Sequence, residues 1–496
     1  MLLALRAVQR FAREKPKAVA LEGGSHVYSY SSLLTEVENL ARRFASIGVK
    51  RIGLLMDNSP AWVIADLAAS LQHVVVVPLP EFFTDAQLDH VIREAALEGI
   101  VTDRAARVAP LIAAAKLRPL ARISGRDVWM VTLAKVAAPG LDAQTAKVTF
   151  TSGTTGQPKG VCLSEEAINR VTDSLMRLMA PVEQDKHLCL LPLSILLENI
   201  AGVYVALCRG VPCVVRSLLE MGVIGASGVD SQRLVDAILD SGATSIITLP
   251  QMLQALVETA ERGATLPPLR FIAVGGAPVA KDLLDRAAKL KLPVYEGYGL
   301  SECASVVAVN SPSAIRRGSV GKPLAHVGIR FGSDGEILIS GNRFLGYLGD
   351  DAASGAQAFF ASGDIGYLDR DGYLYITGRK KNMFITSFGR NVAPEWVERE
   401  LIVHSAIAQA VVFGEGRPWN TAIVVPRATA SREDVAAAIE SANSHLPDYA
   451  RVGAWVFADE PFSVANFEYT STGRPRREAI WRRYAARVDD QYRARA

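Results

Sequence analysis

The chain has 496 residues, 49% apolar and 21% charged, enough to build more than one buried core and unlike either a disulfide-held miniprotein or a disordered segment. Lysine and arginine number 54 against 51 acidic residues, a net +3, so no global field favours nucleic acid or a membrane surface. A prior of roughly 150 residues per domain suggests about three structural units.

The N-terminal MLLALRAVQRFAREK offers only a short apolar stretch before charges enter, which predicts no secretory signal. Ser31 to Ile47 places Leu33, Leu34, Val37, Leu40, Ala41 and Phe44 at helical spacing, and RIGLLMDN after it reads as a strand. The helix-then-strand pattern repeats in AWVIADLAASLQH with VVVVPL, and in TDAQLDHVIREAAL with GIVTD. Strand segments this apolar fit a parallel sheet covered on both faces. The stretch from Leu188 to Leu207, interrupted by Pro192, Glu198 and Asn199, reads as a buried helix and not a bilayer span. Similar α/β units from Ser231 to Leu249 and around LRFIAVGG extend the doubly wound pattern to about residue 300. SDGEILIS and YLDRDGYLYIT then predict hairpins at DG turns, a small β region. A second α/β pattern, with helices PEWVERELIV and SREDVAAAIESANSHL around strands AQAVVFGE and TAIVVPR, follows a boundary near GRKKN. Arg474 to Ala496 hold eight arginines against three acids, which reads as a solvated basic tail helix. The five cysteines, Cys162, Cys189, Cys208, Cys213 and Cys303, form no CxxC pair and sit mostly in apolar runs, predicting buried thiols in a reducing cytoplasm.

Chemistry concentrates in VTFTSGTTGQPKGV, Val148 to Val161. A strand runs into a loop bearing Thr151, Ser152, Gly153, Thr154, Thr155, Gly156 and Lys159, which together supply hydroxyls, close-approaching backbone N–H groups and a cation. These are the parts of a phosphate cradle, though not a P-loop, because GxxxxGK[ST] is absent.

That loop resembles the signature of the adenylate-forming, AMP-binding superfamily, and further motifs follow in the family's order. EGYGLSE, Glu296 to Glu302, is similar to its aromatic-Gly-x-Thr-Glu segment, with Ser301 in place of threonine. Ser362 to Glu398 resembles the family's ribose-binding aspartate, hinge and following loop. The resemblance implies a large compound N-terminal domain with doubly wound sheets and a small β region, residues 1–378, and a smaller mobile C-terminal α/β domain, residues 379–496, hinged near Lys381. It implies that Tyr298 and Gly299, with Gly276, Ala277 and Pro278 opposite, bind adenine, and that Asp364 and Arg379 hold the ribose. Glu302 would ligate Mg²⁺, a hard cation suited to carboxylate and phosphate oxygens. Ser152, Thr155 and Lys159 would neutralise phosphate charge, and Gly389 would line the pantetheine tunnel. The implied reaction joins a carboxylic acid to ATP as an acyl-adenylate, then to the thiol of CoA.

LPLSILLEN, Leu191 to Asn199, is similar to the LPLSHxxER pattern of long-chain acyl-CoA synthetases, which points to a fatty or other apolar acid. Ile195 stands at the histidine of that pattern. Arg474, in TSTGRPRRE, stands where the family carries a lysine that bridges carboxylate and ATP. An arginine keeps the charge but presents a planar fork in place of a compact ammonium, and it is expected to support adenylation still. Two alternatives share these residues: a ligase loading the phosphopantetheine of an acyl carrier protein, and a non-catalytic acyl-nucleotide binder.

Overall fold

The computed structural model describes residues 1–108, 116–133, 140–151, 158–178, 185–224, 228–266, 268–350, 358–388, 390–470 and 473–493. The helix expected from Ser31 spans Tyr30–Ile47, with Ser29 capping the Ser32 N–H and Gly48 ending it in the left-handed region; of its predicted apolar stripe Leu33, Val37, Leu40, Ala41 and Phe44 are buried and Leu34 is half-buried. Pro60–Leu71 starts with proline at its first turn and is apolar almost all round. Such a helix needs cover on every side, and it has it.

That cover comes from two sheets. In the first, four parallel strands run in the order Gly99–Thr102, Arg51–Leu55, Val75–Pro78 and Thr145–Thr151, flanked by antiparallel strands including Lys159–Ser164. The second has nine strands, with His187–Leu188, Ser245–Thr248, Phe271–Val274 and Val294–Leu300 parallel to one another. Leu21 and Cys213 of the second sheet share a core with Ile52 and Val161 of the first, with helices Leu3–Glu14, Tyr30–Ile47, Pro60–Leu71 and Glu165–Leu178 between them. Helices Ser231–Ser241, Pro250–Glu261 and Lys281–Lys289 cover the outer face of the second sheet through Leu234, Leu253 and Leu284.

The two DG hairpins form a four-stranded antiparallel sheet, pairing Gly328–Phe331 with Glu336–Ser340 and Phe360–Leu368 with Leu374–Arg379. The C-terminal region is a three-stranded sheet covered on both faces. Alternation sends Val412 and Val424 toward helices Pro394–Ile402 and Arg432–Ser444, and Val411 and Ile423 toward Arg477–Arg493.

Two sequence expectations need correction. The stretch Leu188–Leu207 is not one helix: it begins as a strand, turns at Pro192, and becomes a π-helix, Leu197–Tyr204, leading into the α-helix Val205–Arg209. Glu198 and Asn199 are buried inside it with polar partners, and do not face solvent. The basic C-terminal helix is not a solvated tail either. Ile480, Tyr484 and Val488 are fully buried, while Arg483 pairs with Glu460 and Glu468 and Arg487 with Asp459. All five cysteines are free and buried, and among the described residues no helix is long and apolar enough to cross a membrane.

Candidate active site

Strand Phe360–Leu368 pairs antiparallel with Leu374–Arg379 so that Asp364 lies opposite Arg379. Arg379 Nε sits 2.7 Å from Asp364 Oδ1, and Tyr298 OH donates to Oδ2 at 2.5 Å. Asp364 is 3% exposed, and burial raises its pKa against the opposing pull of Arg379 and Tyr298. Each carboxylate oxygen has two lone pairs, so a ribose hydroxyl can still be accepted beside these donors. Tyr298, expected at the adenine, is thus also the orienting donor for the carboxylate expected at the ribose.

The turn carrying Glu302 is built tightly. Gly299 is required because a Cβ there would lie 1.7 Å from the Ser305 carbonyl oxygen. The chain then makes a 3₁₀ turn over Ser301–Cys303 and passes through positive φ at Ala304 and Ser305. Glu302 Oε1 accepts from Tyr347 OH at 2.9 Å, and the Tyr347 ring lies 5.5 Å from Lys159 Nζ. Sequence reasoning missed Tyr347; the Gly346–Tyr347 strand carries no motif, and only its pairing with Val161 and Cys162 brings it beside the phosphate loop. Lys159 opens the strand Lys159–Ser164 opposite Thr151 and is exposed. Ser152, Gly153, Thr154, Thr155, Gly156 and Gly389 lie outside the described residues.

Gly276, Ala277 and Pro278 are exposed in the connection between Phe271–Val274 and Lys281–Lys289. Gly276 has φ +79°, and its missing side chain would meet Leu249 at 3.0 Å. The C-terminal region reaches this connection, for Arg474 Nη2 donates to the Gly276 carbonyl at 3.3 Å. The Arg474 N–H donates to Thr470 Oγ1 and its carbonyl accepts the Thr470 N–H, which fixes the turn presenting it. Its side chain is exposed, with Arg379, Asp364, Tyr298 and Glu395 as its electrostatic neighbours. The structure therefore brings Gly276, Tyr298, Asp364, Arg379 and Arg474 together, with Lys159, Tyr347 and Glu302 as a second group. Glu302 with phosphate oxygens and water is a fitting donor set for Mg²⁺, which keeps waters and takes few carboxylates.

A buried His187, Cys189 and Glu198 cluster has ligand atoms within 4.8 Å of one another. Its polar atoms already serve the fold: His187 bonds Glu198 and Ser245, and Glu198 accepts from the Leu190 and Leu191 N–H groups, stapling the turn before the π-helix.

The family model of AMP-binding enzymes matches residues 8–348, and that of the AMP-binding enzyme C-terminal domain matches residues 381–496. A feruloyl-CoA synthase of an Amycolatopsis species is 30% identical over 86% of this chain and 89% of its own. A long-chain-fatty-acid–CoA ligase of Mycobacterium bovis is 28% identical over 78% of this chain and 75% of its own. Among solved structures, the o-succinylbenzoate CoA synthetase of Bacillus subtilis with its acyl-adenylate superposes with a TM-score of 0.76 at 22% identity, covering 96% of this chain and 97% of that one. With both family models matched in order along the chain, this protein belongs to the AMP-binding enzyme family.

Proposed function

We propose that the protein is an AMP-forming acid–CoA ligase for an apolar carboxylic acid, fatty or aromatic. The observation that carries the reading is the meeting of Arg474 with Gly276, beside the Asp364–Arg379–Tyr298 group. In this reading the neighbouring groups would serve as a cation for the reacting carboxylate and phosphate, a ribose acceptor, and an exposed backbone edge for adenine. In the first step a carboxylate oxygen attacks the α-phosphorus of ATP, the bond to the β-phosphate oxygen breaks, and pyrophosphate leaves. In the second the thiol sulfur attacks the acyl carbon, AMP departs, and the thiol proton passes to solvent. The side chains hold the reactants in line and offset phosphate charge. When bound, Mg²⁺ would add neutralisation at the phosphates, with Glu302 as its protein ligand.

Apolar acids are favoured by the wall beside the adenine connection. Leu249 borders Gly276 and Leu197 borders Gly275, and both leucines are part of the second sheet's apolar packing. The relatives named above act on feruloyl and long-chain fatty groups, which share that apolar character. CoA is favoured as acceptor over a carrier protein because the relatives are CoA ligases. Pyrophosphate release should depend on acid in a panel of ferulate, 2-succinylbenzoate, octanoate and palmitate. Asp364→Ala and Glu302→Ala should lower it by about two orders of magnitude or more, the size of losing one preorganised charged contact in a transition state. Arg474→Lys should keep or raise it. ATP binding without pyrophosphate release from any acid would favour the non-catalytic binder instead.

A further inference from the structure

The strand that feeds the phosphate loop carries a lysine where a covered strand ordinarily has an apolar residue. Lys147 is 2% exposed. Its ammonium lies 2.9 Å from Asp66 Oδ1 and donates to Asn199 Oδ1 at 2.6 Å and to Tyr204 OH at 3.1 Å. Tyr204 OH and Asn199 Nδ2 in turn donate to Asp66 Oδ2, at 2.5 and 3.1 Å. The ring faces of Trp62 and Tyr204 lie 5.6 and 5.3 Å from the charge. The network joins three elements: helix Pro60–Leu71, strand Thr145–Thr151 and the π-helix Leu197–Tyr204.

The π form is what makes the junction possible. Asn199 and Tyr204 are five residues apart, the repeat of a π-helical hydrogen bond, so both point to one ammonium; α-helical spacing would separate them. The same helix carries Leu197 and Ala201, which pack into both the shared core and the second sheet's core. At the other end, alternation along the strand puts Lys147 on the face of Thr149 and Thr151, where the phosphate loop begins. One charge pair thus ties the strand that begins the phosphate loop to the helix whose Leu197 borders Gly275. Asn199 donates to Asp66 Oδ2 as well, so a cation at position 199 would reach the same carboxylate.

We propose that Lys147 is a positioning residue for the ligase reaction, supplying from the phosphate-loop strand the cation that holds Asp66 and the π-helix together, and so setting the spacing between ATP phosphates and the acid. The proposal deepens the ligase reading and rests on it for its kinetic half. Lys147→Thr leaves the buried Asp66 carboxylate without its cation, held only by Tyr204 and Asn199, and should lower Tm by about 5 °C or more. Adding Asn199→Arg to that variant should recover at least half of the loss in Tm and in kcat/KM for the acid. Lys147→Met with Asp66→Asn removes both charges and should fold. It should nevertheless raise KM for the acid and Kd for MgATP about tenfold, on the scale of a small misplacement of reacting groups. Failure of Asn199→Arg to rescue the Lys147→Thr protein, or wild-type KM and Kd in the charge-free pair, would overturn the proposal. Tm and MgATP affinity are read without an acid substrate. An acid panel with no turnover would therefore remove the ligase reading while these two measurements still decide the role of Lys147.

Discussion

Tyr347 shows how much of the site depends on single side chains outside any motif. Its hydroxyl orients Glu302, and a hydrogen bond to a carboxylate contributes about 2 kcal/mol. Tyr347→Phe should therefore raise the Mg²⁺ concentration needed for half-maximal pyrophosphate release by up to about thirtyfold while Tm changes little. Glu296, in the same motif as Glu302, has a different role. Burial raises its carboxyl from 4.5 to about 7, against the lowering pull of Arg399 across the domain junction. Between pH 4.5 and 7 the folded chain then holds a proton that the unfolded chain has lost, so stability falls as pH rises through that window and the penalty persists above it. Glu296→Gln should raise Tm over wild type at pH 8 and show no gain at pH 4.5; an equal gain at both would contradict the buried-proton account.

At the level of elements, tight backbone contacts are the most restrictive feature of the site. Gly299→Ala would drive a Cβ into the Ser305 carbonyl and should abolish MgATP binding or soluble yield, whereas Gly140→Ala, with open space around it, should leave both unchanged. Parallel helix–strand units were legible in the sequence because their strands are apolar throughout and their helices carry stripes, as from Leu33 to Phe44. DG turns marked the hairpin that sets Asp364 against Arg379. The π-helix was not legible, since its apolar run matches an α-helix equally well and the residues that settle its form, Lys147 and Asp66, are distant in sequence. Nor was the pairing of strand Val19–Gly23 with Cys213–Val214, which carries the N-terminal segment into the second sheet. Contacts set by long-range pairing leave no local period to read. Tyr347 escaped for the same reason, while Asp364, Glu302 and Lys159 stood out because each lies in a dense motif.

On the scale of the molecule, the candidate site residues come from three sheet systems and the C-terminal region. Lys380 remains tied to the large region through Asp334 and Glu336, while Lys381 is exposed just beyond it. This supports the proposed hinge at that residue. The position of Arg474 against Gly276 suits the adenylation step, and the thiol step would need that contact to open. Lys381→Pro, which fixes φ and removes an N–H, should preserve acid-dependent adenylate formation while lowering CoA thioester formation about tenfold or more. A fall in both steps alike would place the hinge elsewhere. The nearly neutral net charge fits this arrangement, because Arg379 and Arg474 lie together beside Asp364 without a global excess of cations. The central claim, that an arginine in this cleft supports ligation of an apolar acid, is tested most directly by pyrophosphate release from the wild-type chain across the acid panel, with and without CoA. The account predicts acid-dependent release with at least one apolar acid and a CoA thioester when CoA is present; ATP binding with no release from any acid would contradict it.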